Sequence, residues 1–133
     1  MRVVINTNVL VAGLLSPYGA SGQIVRMLVA GSLDLLYDAR IVSEYEEVLC
    51  RPKFSFDKEQ IDHLIEFITR FGIPVSASPL SMHLPDPDDE PFLEIAISGK
   101  AECIITGNVT HYPAHSRGRA RVFAPRQFIN RYF

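Results

Sequence analysis

The segment Val3-Val4-Ile5 sets the first constraint on this chain. Three consecutive β-branched residues with no polar alternation fit a strand covered on both faces, which is the strand of a parallel α/β sheet. The run stops at Asn6-Thr7-Asn8, and apolar residues resume at Val9. A second run, "ECIIT" from Glu102 to Thr106, stops as abruptly before Gly107-Asn108. Two readings of the first polar tripeptide follow. Thr7 or Asn8 caps a helix over Val9 to Leu15, or the polar side chains face a site at the carboxyl edge of the sheet, where open α/β folds gather ligands.

Between and beyond these strands the pattern alternates. After a break at Ser16-Pro17-Tyr18-Gly19, helical spacing runs from Ala20 to Ala30, with Gly31 as its stop. Leu33 to Tyr37 reads as a strand, Ile41 to Arg51 as a helix stopped by Pro52, and Asp57 to Phe71 as an amphipathic helix followed by Gly72. Ile73 to Val75 is a short strand, and Ser76 to Pro91 is a proline- and acid-rich loop. Pro91 suits the first turn of a helix over Phe92 to Ser98. A long loop after Thr106 leads to a last strand at Val122-Phe123 and a terminal helix over Pro125 to Tyr132. The apolar tail "FINRYF" is read either as core or as a surface for a partner, and core packing is preferred at this chain length. Alternation of strands and helices predicts an α/β architecture, and the 133 residues, with no repeat or linker, are read as one domain.

Composition narrows the function. Apolar residues make up 47% of the chain, ordinary for a packed core, and the formal net charge is -2. No global basic field draws the protein to nucleic acid, so an anionic partner needs a local patch or a metal. Cys50 and Cys103 lie in no metal-binding or redox spacing and are read as small buried hydrophobes in a reducing compartment. With no leader pattern and no run of membrane-spanning length, the expected location is the cytoplasm, with no membrane partner. No Walker or dinucleotide glycine pattern and no Ser/His/Asp arrangement stands out. A phosphatase-like or nucleotide-binding domain wants a nucleophilic Asp after the first strand or a glycine loop, and neither is present.

Acids concentrate in "LPDPDDEPF", where Asp86, Asp88, Asp89 and Glu90 precede a helix. One carboxylate there is explained by the helix dipole. Four within five residues repel one another, and a hard divalent cation would neutralise them. A second acidic run holds Glu44, Glu46 and Glu47; helical spacing puts Glu44 and Glu47 on one face and does not choose among the three. The C-terminal third carries Lys100, Arg117, Arg119, Arg121 and Arg126 against Glu102, which is either a phosphate-binding lip or a solvated loop and edge strand. His111 and Tyr112 are placed to stack on or bond to a nucleotide.

"VVINTNVLVAGLL", "SEYEEVLCRPKF", "LPDPDDEPFLEIAI" and "CIITGNVTHYP", in this order and at these separations, resemble the PIN-domain family, and most closely its branch of toxin components of toxin–antitoxin systems. The resemblance runs from Arg2 to the terminal helix. It implies a three-layer α/β/α sandwich on a central parallel sheet of four to five strands. It also implies a metal-dependent endoribonuclease that cuts single-stranded RNA, with Mg²⁺ or Mn²⁺ as cofactor and with a cognate antitoxin and a homodimer as partners. The family's acidic catalytic positions fall on Asn6, Glu44, Asp89 and Asn108; metal binding falls on Asn6, Glu44 and Asp89, with Asp86 and Asp88 as added or substitute ligands. Thr7, Asn8 and Thr106 match positions lining the pocket, and His111, Arg117 and Arg119 are the further substrate contacts.

The departure is Asn6, where the family has aspartate. An amide offers one carbonyl oxygen and no charge. A weak natural variant, a non-catalytic relative and an inactivating substitution all fit it. The alternative function is therefore a catalytically inactive PIN-like domain that binds RNA or an antitoxin.

Overall fold

A computed structural model describes residues 1–133. β1 (Arg2–Ile5) lies at the centre of a five-stranded parallel sheet, ordered β3-β2-β1-β4-β5. The other strands are β2 (Asp34–Tyr37), β3 (Ile73–Pro74), β4 (Cys103–Ile105) and β5 (Val122–Phe123). Val3 pairs with Leu35 on one side and Cys103 on the other, and Ile5 with Ile105. Six helices flank this sheet in an α/β/α arrangement: α1 (Thr7–Leu15), α2 (Ala20–Val29), α3 (Ala39–Leu49), α4 (Lys58–Phe71), α5 (Glu90–Ser98) and α6 (Pro125–Tyr132). None of them is long and apolar enough to cross a membrane.

The local reasons are visible in the residues. Asp38 caps α3 by accepting from the Ile41 amide, and Asp57 caps α4 by accepting from the Glu59 amide. Pro74 has no N–H for a ladder, which suits the edge position of β3. Val3, Val4 and Ile5 are wholly buried together with Ile104 and Ile105, as an unalternating run on a central parallel strand requires. They belong to one contiguous cluster of 28 buried residues, which includes Phe128 and Ile129 of the C-terminal helix. Phe133 at the very end stays exposed.

Three expectations need correction. Helix α1 starts at Thr7, not Val9, and its N-cap residue is Asn6, whose side chain makes no capping bond. Neither Thr7 nor Asn8 caps, because both side chains are engaged elsewhere. Cys50 is exposed at the end of α3, where the helix rotates it off the core; Cys103 alone is the buried hydrophobe. The acidic loop ends sooner than Pro91: the Asp86 carboxylate accepts from the Asp88 amide and nucleates a tight turn over Pro87–Asp89, from which α5 starts at Glu90.

The sheet changes direction at its middle. From β1 the chain steps outward through β2 to β3, then returns to lay β4 against the other side of β1. The crevice at the carboxyl ends of β1 and β4 is therefore the topological switch point.

The turn that joins α1 to α2 packs so closely on the first turn of α2 that a Cβ on Gly22 would stand 2.1 Å from the Pro17 carbonyl oxygen. Backbone cannot give way as a flexible side chain can. Gly22→Ala should therefore lower the unfolding free energy by about 2 kcal/mol, read from urea denaturation midpoints at unchanged slope.

Candidate active site

Asn6 follows β1 directly, and its amide nitrogen is bonded to the Ile105 carbonyl of β4 at 2.9 Å. Its side chain is buried, so both ends of the amide need partners. Nδ2 donates to the Tyr112 hydroxyl at 2.8 Å, and Oδ1 accepts from Asn8 Nδ2 at 2.9 Å. Asn8 in turn accepts from the Gly107 amide at 2.9 Å and reaches Thr106 Oγ1 at 3.4 Å. Thr106 Oγ1 also accepts from the Asn108 amide at 3.1 Å. The two polar strand ends are thus one hydrogen-bonded unit. Three polar side chains in a row after β1 are explained by it: Asn6 and Asn8 join the strand ends, and Thr7 turns the other way.

The Thr7 hydroxyl donates to Glu44 Oε2 on α3. Glu44 lines a cleft of about 410 Å³ with Asn6, Thr7, Asn8, Asp86, Asp88, Asp89, Asn108 and His111. Asp86, Asp89 and His111 form the tightest group in it, with ligand atoms all within 4.8 Å of one another. His111 Nδ1 stands 3.2 Å from Asp89 Oδ2. Asp88 and Asn108 are exposed at the rim, and Glu44 lies outside the triad, on the α3 side of the cleft.

Other residues of the two acidic runs are turned elsewhere. Glu90 accepts from the Leu84 amide at 3.0 Å and pairs with His83, closing the loop. Glu47 pairs with Arg51 at 3.1 Å on the outer side of α3, so it does not share the Glu44 site. Arg117 donates to the Tyr112 carbonyl at 3.3 Å and props the loop. Arg119 lines a separate groove with Ala96, Ile97 and Lys100, not the acidic cleft. Tyr112 is 1% exposed and has no face for a base to stack on; it is the partner of Asn6 instead. That role had no sequence signal, because an aromatic residue in a polar loop reads as a ligand contact until the loop is seen folded inward.

Burial raises the Asp89 carboxyl above its ordinary range, the Asp86 charge raises it further, and the Asn6 amide and His111 pull it part of the way back. Burial likewise raises Glu44; the Thr7 hydroxyl opposes this, and Asp88 and Asp89 add to it. The cleft therefore holds more negative charge than its hydrogen bonds compensate.

A parallel α/β/α domain with a carboxylate-rich cleft at the switch point of its sheet is the class that this geometry defines. The chain belongs to the PIN-domain family, whose model matches residues 2–110. Its fold is similar to that of a chain in the crystal structure of VapBC2 from Rickettsia felis bound to a DNA fragment from their promoter. There the TM-score is 0.61 and the identity 14%, over 93% of this chain and 98% of that one. No curated protein sequence matches.

Because both carboxyls are raised in the folded state, the metal-free fold holds protons that the unfolded chain releases. The contribution of these two groups to stability is fully present below the ordinary carboxylate range and is lost as pH rises through the raised values. Glu44→Gln keeps an oxygen for Thr7 and removes the charge. In EDTA near neutral pH it should melt above the parent, with the gap closing below about pH 4; calorimetry across pH reads both.

Proposed function

We propose that this chain is a metal-dependent endoribonuclease that cuts single-stranded RNA, the toxin of a toxin–antitoxin pair, with activity reduced by Asn6. One observation carries the reading. Asp86, Asp89 and His111 present three ligand atoms within 4.8 Å, in an acidic cleft at the switch point of the sheet of a PIN domain.

The donor set fits a hard divalent cation. Two neighbouring carboxylates favour Mg²⁺ or Mn²⁺ over softer ions, and an imidazole beside them is better tolerated by Mn²⁺. Asp86, Asp89 and His111 would hold it, and Glu44 lines the same cleft. A bound ion supplies charge for phosphate oxygens and a lowered pKa for a water. Glu44, whose carboxylate accepts from the Thr7 hydroxyl and is raised by burial, is the proton acceptor that this chain itself places in the cleft. Asn6 contributes orientation without charge: its amide sits against Asp89 while Tyr112 and Asn8 hold its two ends. Asn8 and Thr106 keep the strand ends in register, and Asn108 and His111 stand where a nucleotide would pass.

The shell around position six accepts a carboxylate without rearrangement. Asn8 Nδ2 already donates to it, and the Tyr112 hydroxyl can reverse from acceptor to donor. Asn6→Asp should therefore raise Mn²⁺-dependent cleavage of a structureless RNA by roughly tenfold or more, in the range usual for shell changes at metal sites. An aspartate variant freed of copurified partner that cuts nothing in Mn²⁺ would overturn the reading.

The second reading is a non-catalytic domain that binds RNA or an antitoxin. It is favoured by the Asn6 amide, which offers Asp89 a hydrogen bond on the side where the family has an acid. Metal titration of Asn6→Asp separates the two, since recovered Mn²⁺ binding belongs only to a weakened nuclease. Likeness to VapBC2 supports an antitoxin as partner, and a homodimer in the cytoplasm completes the proposal.

A further inference from the structure

The acidic cleft has an apolar wall that the proposed chemistry does not use. It is made by Val11, Ala12 and Leu15 of α1, Val48 of α3, and Phe54. Phe54 ends the short turn Pro52–Phe54 that follows α3. It is half-buried, yet it is not among the side chains packed against the core, whereas Phe56 is. The two rings lie nearly parallel, 17° apart with centroids 5.5 Å from each other. Phe54 thus rests on a ring that is itself anchored in the core.

The backbone between them is unusual. Ser55 has φ 54° and ψ 32°, a left-handed conformation that residues other than glycine rarely adopt. Its amide and hydroxyl both bond to the Pro52 carbonyl, at 3.1 and 3.3 Å, which holds the turn. Strain of this kind persists where surroundings fix it, and here it serves to bring the two rings together at the rim of the cleft. Lys53 Nζ stands 5.1 Å from the Phe54 centroid and has no carboxylate partner, whereas Arg51 nearby is paired with Glu47.

We propose that Phe54 is a base-stacking platform for single-stranded RNA whose backbone crosses the acidic triad, with Lys53 taking an adjacent phosphate. This rests on the nuclease reading above and adds the element that grips the strand. A ring backed by a second ring gives every base a flat partner without reading its identity, and the ammonium supplies the backbone charge that the acidic floor lacks. Lys53 has no carboxylate to hold it over the Phe54 ring, so its flexible side chain moves off the ring to the phosphate as a base takes its place.

The test uses the unsubstituted chain in Mg²⁺ and a short oligouridine carrying one 2-aminopurine, moved position by position. Stacking quenches that fluorophore, so one position should dim on binding. Phe54→Ala and Phe54→Leu should lose the quenching and bind roughly tenfold more weakly, while Phe54→Trp keeps both. Lys53→Ala should lower the slope of log affinity against log salt by about one. Melting curves of each variant confirm folding, and the tryptophan variant keeps the comparison open if alanine does not fold. If leucine binds as tightly as phenylalanine, the wall is an apolar surface of the kind a peptide would use, and the platform is overturned. If the parent binds RNA with no position quenched, the platform falls alone. If the parent binds no oligonucleotide at all, the platform and the nuclease reading fall together.

Discussion

The site depends on the hydrogen-bonded joint between the ends of β1 and β4. Asn6, Asn8, Thr106 and the Gly107 amide satisfy one another where two buried strands run out into solvent. Buried polar groups that are fully paired fix geometry as few apolar contacts can, since each has a direction as well as a distance. The joint sets where Asn6 lies, Asn6 touches Tyr112 and Asp89, and Tyr112 carries the loop that brings His111 over the acids. One of its buried members, Asn6, is a neutral side chain at a position where the sequence resemblance leads one to expect an acid.

Charge is the other organising quantity. The domain has little net charge, but its cleft gathers carboxylates whose protonated forms are favoured by burial and by one another. A fold that tolerates such a cleft gives up some stability near neutral pH, and a divalent cation would restore it through binding linkage. The surrounding features follow the same logic. Two acids of the same runs that do not face the cleft are matched, Glu47 by Arg51 and Glu90 by the Leu84 amide. Glu44 and Asp89, which face it, keep raised carboxyls despite the Thr7 hydroxyl and His111.

Much of this was legible in the chain. Unalternating β-branched runs announced buried parallel strands, proline and glycine marked most breaks, and the crowding of acids before α5 marked the cleft floor. The partners were less legible. Glu44 and Glu47 share a helical face by spacing, yet only Glu44 meets Thr7, because the way α3 is seated on the sheet decides which acid looks inward. Tyr112 and Phe54 are both aromatic residues in polar surroundings; one is sealed under the loop, and the other lines the open cleft. Arg119 belongs to the same basic segment as Arg117 but faces another groove.

The sequence by itself determined the strands, the helices to within a few residues at their ends, and the family, because these depend on near neighbours or on motif order. Tertiary structure alone decided which residues meet: Asn6 with Tyr112, Asp89 with His111, Thr7 with Glu44. The physical reason is that each of those contacts joins segments far apart along the chain. Their proximity is created by the switch of β4 to the far side of β1, and no local preference records that step.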